Sequence, residues 1–259
     1  WRAAGGIADI LIELIRTDYE GDQAGRIKQW ANFLKVHSWE KWAYPNDLKA
    51  GPGSTVFVSS REDYSVGNIG RIMLTAMALD KAQAAGFIAA STEYREWFES
   101  SSSNLATFMN NYLDKYGASS FTIHYWYNGG GTQNWDTSHT SDLIYSLLRS
   151  KQLGYNAGGK IDKFLPFYQE HLDAVWFPTS KGFAEYADGS GSINGWMLSS
   201  SRGQSLSAAL SPELKSRWVD LVRYNKPTWT FWSETGHNVA DAIALGGALM
   251  WALAGNSLY

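Results

Sequence analysis

The sequence predicts an all-α fold, an incomplete (α/α) toroid or barrel of alternating inner and outer helices with short extended loops, in a single domain over residues 1–259. Three observations lead there. Apolar residues recur at helical spacing along most of the chain. Segments charged on one face alternate with segments that are poor in charge and rich in small residues. The polar joints before three segments of the second kind look alike.

The elements follow in order. Ile7, Ile10, Leu11, Leu14 and Ile15 form the apolar stripe of a first helix. Ile27, Trp30, Ala31, Phe33 and Leu34 mark a second, and Ile69, Ile72, Met73, Ala76 and Leu79 a third. A fourth carries Tyr94, Trp97, Phe98, Leu105, Phe108, Met109, Tyr112 and Leu113, with a break expected at Ser100–Ser103. Leu143, Ile144, Leu147 and Leu148 give a fifth, ended near Gly154. Ile161, Phe164, Leu165, Tyr168, Leu172 and Val175 give a sixth, with Pro166 as a point of bending. A small-residue helix is expected from Trp196 to Leu210. Ser211, Pro212 and Glu213 then read as cap, first-turn proline and acidic first turn of a helix carrying Leu214, Trp218, Leu221 and Val222. The last helix, about His237 to Ala254, is almost wholly apolar. Residues 54–59 and 121–127 read as short strands or extended loops. The Gly/Ser-rich stretch 182–195 reads as a mobile loop.

Helices polar on one face belong outside, and helices apolar nearly all round belong inside. The charged kind covers 23–44, 92–116, 160–176 and 211–225; the other covers 3–16, 66–86, 139–154, 196–210 and 238–254. Such alternation is what an α/α toroid requires. The similar joints are Glu62–Asn68, Trp135–Ser141 and Trp232–Asn238. Each offers an acid, a hydroxyl residue and then Asn or His as the helix begins. Ordinary N-capping by Asp, Ser and Thr explains part of this pattern; inner-helix N-termini gathered at one mouth explain the rest.

Composition narrows the function. At 259 residues, 44% hydrophobic and 18% charged, the chain is globular in character. A net charge of −3 gives no broad footprint for nucleic acid. Cysteine is absent, so disulfides and thiolate chemistry are excluded. No run of 18 apolar residues occurs, so no membrane span is expected. A secreted or periplasmic location is expected. The outlier is aromatic content: 13 Trp, 14 Tyr and 11 Phe, many beside Gly, Ser and Asn. Trp and Tyr pair a large apolar face with one polar handle, which suits core packing and sugar contact alike.

No phosphate-binding loop, zinc helix or nucleophile elbow is present. Asp136 and His139 alone do not make a metal site, and no cofactor is expected. The richest segment is Tyr125–Asp142, Tyr-Trp-Tyr-Asn-Gly-Gly-Gly-Thr-Gln-Asn-Trp-Asp-Thr-Ser-His-Thr-Ser-Asp. Its Tyr-x-Tyr, followed by an acid-Thr-Ser-His turn and a helix, resembles the α/α-toroid polysaccharide lyases that cleave uronic-acid polymers, of the alginate and glucuronan lyase type. Asp63-Tyr64-Ser65-Val66-Gly67-Asn68-Ile69-Gly70-Arg71 is similar to the helix start that supplies an Asn to the cleft of those enzymes. The likeness covers about 64–154.

The resemblance implies a β-elimination without a cofactor on a polysaccharide substrate. Asn68 would stabilise charge on the substrate carboxylate, helped by Arg71 or Arg202. His139 would be the base or neutralise charge, and Tyr125 or Tyr127 the acid, or both base and acid. Asp136 would orient His139 or cap its helix, and Trp126 and Trp135 would stack on sugar faces. Tyr64 joins the substrate-binding set, and His237 holds the matching place in the last joint. Each residue also has a purely structural reading: a helix-end hydrogen bond for Asn68, a buried imidazole for His139, an ion pair for Arg71. His37, His124 and His171 read as structural or exposed. Two other functions fit the same fold. A glycoside hydrolase would draw two carboxylates from Asp63, Asp136, Glu185, Asp188 and Glu234. A non-catalytic glycan-binding protein would use the aromatic residues and not His139.

Overall fold

The computed structural model describes residues 2–17, 24–43, 66–99, 137–155, 176–184 and 205–225, with single helical positions between 162 and 173. At several helix ends, including 66–69, 137–143 and 205–206, the backbone alone is described. Helix dominates. In chain order come α1 (Arg2–Arg16), α2 (Ala24–Phe33) running into a π-helix (Leu34–Ala43), α3 (Val66–Ala84), α4 (93–99) and α5 (Thr137–Gln152). Then follow β1 (Trp176–Phe177), β2 (Gly182–Phe183), a 3₁₀ turn (Ser205–Ala209) and α6 (Pro212–Asn225). Packing divides the chain into two compact units, one formed by 1–104 with 126–130 and one by 105–125 with 131–259.

The first unit is built on the contact of α1 with α3. The buried face of α1 is Ala4, Ala8, Leu11 and Ile12. This corrects the expected stripe: Ile10 is 52% exposed, and Ile7, Leu14 and Ile15 are half-buried. Small side chains make the first turns of this face, and Leu11 and Ile12 continue it. At Gly5 an added Cβ would meet the Arg71 Cγ at 3.1 Å and Cβ at 3.3 Å, so glycine permits this close approach. Helix α3 is buried continuously from Ile72 to Asp80, as its apolar circumference requires.

Among its described side chains, helix α2 buries Ile27 and Ala31, and the π-helix continues that face with Leu34, Ser38 and Trp39. Trp30 and Phe33, expected in the buried stripe, are exposed instead. The buried spacing of four, three and four residues leaves them on the flank of that line, Trp30 nearer to it than Phe33. Trp39 links this segment to α4. It stands edge-on to Tyr94 and Trp97, with ring centroids 5.4 and 5.3 Å away, and its indole N–H donates to Glu93 Oε1 at 3.1 Å. Such edge-to-face pairs contribute about 0.5–1.5 kcal/mol each beyond area burial. Burial, with Glu93 and Glu40 nearby, pushes the Tyr94 phenol up to about 12. A polar chain ties α4 to α3: Arg95 pairs with Asp80 at 3.2 Å, Gln83 Nε2 donates to Asp80 at 2.9 Å, and the Ser91 N–H donates to Gln83 Oε1 at 2.6 Å.

Helices α3 and α5 end in the same way. Gly86 and Gly154 both take φ of +79°. Past α3, the Phe87 N–H donates to Ala82 O and the Gly86 N–H to Gln83 O; past α5, the Tyr155 N–H donates to Ser150 O and the Gly154 N–H to Lys151 O. This is the Schellman closure, with glycine in the left-handed region. An added Cβ on Gly154 meets nothing within 4 Å. Gly154→Ala is therefore expected to destabilise by about 1–2 kcal/mol through backbone strain alone, without steric clash. Urea denaturation measures it; an unchanged midpoint would mean that the closure is not held in solution.

The second unit packs α5 and α6 with the 3₁₀ turn and the hairpin. Helix α5 buries Ile144 and then every residue from Ser146 to Ser150, so it too is covered nearly all round in its later turns. Leu165, Tyr168 and Leu172 are buried at spacings of three and four, as expected for the sixth helix. Pro166 sits at a helical position. The hairpin was not foreseen. Trp176 pairs with Phe183 and Phe177 with Gly182; Pro178–Lys181 form the turn, with Lys181 at φ 51°. Gly182, Phe183 and Ala184 are buried, which corrects the expected loop at its first three positions. Helix α6 is capped as expected, the Leu214 N–H donating to Ser211 Oγ at 3.1 Å. Trp218 is its anchor: fully buried, its indole N–H donates to Ser207 Oγ at 2.8 Å and its ring lies 4.9 Å from that of Phe183. Arg217 beside it pairs with Glu213 and Asp173 and lies 5.8 Å from the Trp176 ring centroid.

Of the helix expected from Trp196 to Leu210, Ser205–Ala209 form the 3₁₀ turn in place of an α-helix, and 196–204 lie outside the described residues, as do the strands expected at 54–59 and 121–127 and the last apolar helix.

Candidate functional site

Three residues of the expected site, Asn68, Arg71 and His139, lie on described helices. Asn68 is the third residue of α3, in the first unit, and His139 the third residue of α5, in the second. Both stand in a first helical turn. There the leading backbone N–H groups lack intrahelical partners, and the macrodipole presents its positive end. A helix start of this kind favours an anionic group and disfavours a further cation. Local sequence explains why the helices begin there. Ser65 precedes Val66, and Asp136 precedes Thr137; both are residue types that accept hydrogen bonds from first-turn N–H groups.

Arg71 follows Asn68 by one helical turn, so the two positions are neighbours on the surface of α3. The Arg71 side chain is half-buried, with a buried Nε. Its Cβ and Cγ lie at the Gly5 seam, and its carbonyl accepts a hydrogen bond from Thr75 Oγ1 at 2.9 Å. Arg71 is thus part of the α1–α3 packing, and its stem is positioned by that contact.

Tyr64, Tyr125, Trp126, Tyr127, Trp135, Asp136, Arg202 and His237 lie outside the described residues. So do the carboxylates Asp63, Glu185, Asp188 and Glu234. Among the described residues, no cluster of three or more His, Asp or Glu has a geometry able to hold a metal ion. Among the same residues, no helix is long and apolar enough to cross a membrane. His37 is exposed, one of the two outcomes expected for it.

A second group of residues was missed. Trp30, Phe33 and Val36 are exposed on one side of α2 and the π-helix, and the His37 ring lies 5.1 Å from that of Phe33, tilted by 38°. Helical periodicity alone assigned Trp30 and Phe33 to the core. The signal that separates them is finer: Ile27, Ala31 and Leu34 form a complete apolar line without them, and Arg26 and Gln29 share the other side.

No protein-family model, curated protein or solved structure matches the chain. Its function is therefore argued from its own residues.

Proposed function

We propose that this chain is a polysaccharide lyase that cleaves a uronic-acid-containing glycan by β-elimination on an incomplete α/α toroid. The observation that carries the reading is the equivalence of α3 and α5. Each is buried nearly all round over its middle or later turns, each closes on a left-handed glycine, and each holds its candidate polar residue at the third helical position. Repeated inner helices of a toroid would be built in this way. Their starts would provide positive helix ends for a polyanionic substrate.

The chemistry follows from the substrate. The proton on C5 of a uronate is too weakly acidic to leave unaided. Asn68, with Arg202 or Arg71, stabilises the charge that builds on the C6 carboxylate. His139 takes the C5 proton. The electron pair forms the C4–C5 double bond, the bond from C4 to the glycosidic oxygen breaks, and Tyr125 or Tyr127 protonates that oxygen. Asp136 orients His139 or caps α5, and Tyr64, Trp126, Trp135 and His237 contact the sugar chain. Export to the periplasm or the medium accords with a polymeric substrate.

The test is direct. Incubation with alginate, glucuronan, hyaluronan or pectate is expected to generate the ultraviolet absorbance of an unsaturated uronate from one of them. New reducing ends without that absorbance would reject elimination in favour of hydrolysis.

A further inference from the structure

The exposed side of α2 and the π-helix carries a pattern that the elimination chemistry does not use. Arg26, Trp30, Phe33, His37 and Lys41 follow one another at spacings of four, three, four and four residues, and all five are exposed. The buried line Ile27, Ala31, Leu34 and Ser38 occupies the adjacent side of the same helix. The row therefore runs along an exposed flank of the helix, beside the buried line. Phe33 and His37 form one surface, with ring centroids 5.1 Å apart. Trp30 and Phe33 are separated by about 4.5 Å along the helix axis, at 1.5 Å of rise per residue, which is close to the length of one pyranose unit in an extended chain.

Charge is the second observation. The chain as a whole carries −3, yet the segment 24–43 holds Arg26, Lys28, Lys35 and Lys41 against one carboxylate, Glu40. That carboxylate lies 3.7 Å from Lys35, away from the aromatic row. The row is thus an aromatic strip that begins at Arg26, on a locally positive segment of an acidic protein.

We propose that this strip is a second carbohydrate-binding surface, which holds an anionic polysaccharide by stacking on Trp30 and Phe33 and by pairing Arg26 with its carboxylates. The choice of a polyuronate as the polymer rests on the function proposed above; the strip itself does not depend on cleavage. A polynucleotide, like a polyuronate, is charged at every unit, but its binding draws on a broad cationic surface, which a chain of net charge −3 does not offer.

The experiment measures retardation of the full chain in native gels containing alginate or glucuronan. It uses the His139→Ala background so that the polymer stays intact. A neutral glucomannan, a single-stranded oligothymidylate and phosphatidylserine vesicles are the comparison probes. The expected result is polyuronate binding that weakens with salt and falls roughly ten-fold in Trp30→Ala/Phe33→Ala, with the circular dichroism of the chain unchanged. Arg26→Gln is a second variant that removes no packing, and it should weaken binding and flatten its salt dependence. Absence of polyuronate binding, or equal binding by both variants, overturns the proposal. So does a loss in the variants confined to the oligothymidylate or the vesicles. The two readings fail separately. Variant-sensitive retardation, with no unsaturated product from the chain that retains His139, removes the lyase and keeps the strip; unsaturated product from that chain with variant-insensitive binding does the reverse.

Discussion

Replacing His139 by alanine is expected to slow formation of the unsaturated uronate by about 10²–10⁴-fold, the range for loss of a positioned general base. In the proposed elimination, the C5 proton of the uronate does not leave without a base. The first turn of α5 is a suitable place for that base. His139→Ala should also lose the acidic limb of the pH–rate profile, because the group whose deprotonation that limb reports is gone. The assay is initial absorbance against pH on the cleaved polymer, with thermal unfolding as the control. His139→Ala with full activity and an unchanged profile would remove the residue from the mechanism. A fall in rate tracked by a fall in folded fraction would assign it to packing.

The second large effect concerns stability. Trp218→Ala is expected to destabilise the second unit by about 3–5 kcal/mol, the range for truncating a fully buried large aromatic. Trp218 is 0% exposed, rests against Phe183, and donates to Ser207 Oγ. Truncation therefore opens a cavity between α6, the hairpin and the 3₁₀ turn, and also removes the indole partner of a buried hydroxyl. Trp218→Phe separates the two losses. It keeps most of the volume and should cost about 1–3 kcal/mol, chiefly for a buried polar group deprived of its partner. Urea denaturation gives the magnitudes. Hydrogen exchange of the α6 and hairpin amides shows where the loss acts. Protection of those amides unchanged in Trp218→Ala would contradict the packing described.

Much of the helical order was legible because it is local. Gly86 and Gly154 follow apolar segments and stop them; Ser211, Pro212 and Glu213 announce α6. Burial of α3 all round followed from its lack of charge. What the sequence hid depends on the partner. The α1 seam is set by how closely α3 approaches at Gly5, a distance that no property of α1 alone reveals. Phe33 and Trp30 looked like core because their size outweighed their register. The hairpin at 176–183 escaped because its strands are two residues long, too short for alternation to show. For the candidate site, the sequence placed Asn68 and His139 at helix starts, and the helices begin there. It left the surroundings of Arg71 open, because the Gly5 contact joins residues far apart in the chain.

The paired glycine closures also bear on how such a chain can change length. Each helix is sealed by hydrogen bonds from the backbone that immediately follows it, so its end does not depend on where the next segment goes. After α3, Ala89 and Ala90 lie exposed between the closure at Gly86 and the start of α4. Insertions or deletions there need not propagate into α3. A protein assembled from self-terminating helices can remodel its connections, and with them its substrate range, while the helices that position its chemistry keep their register.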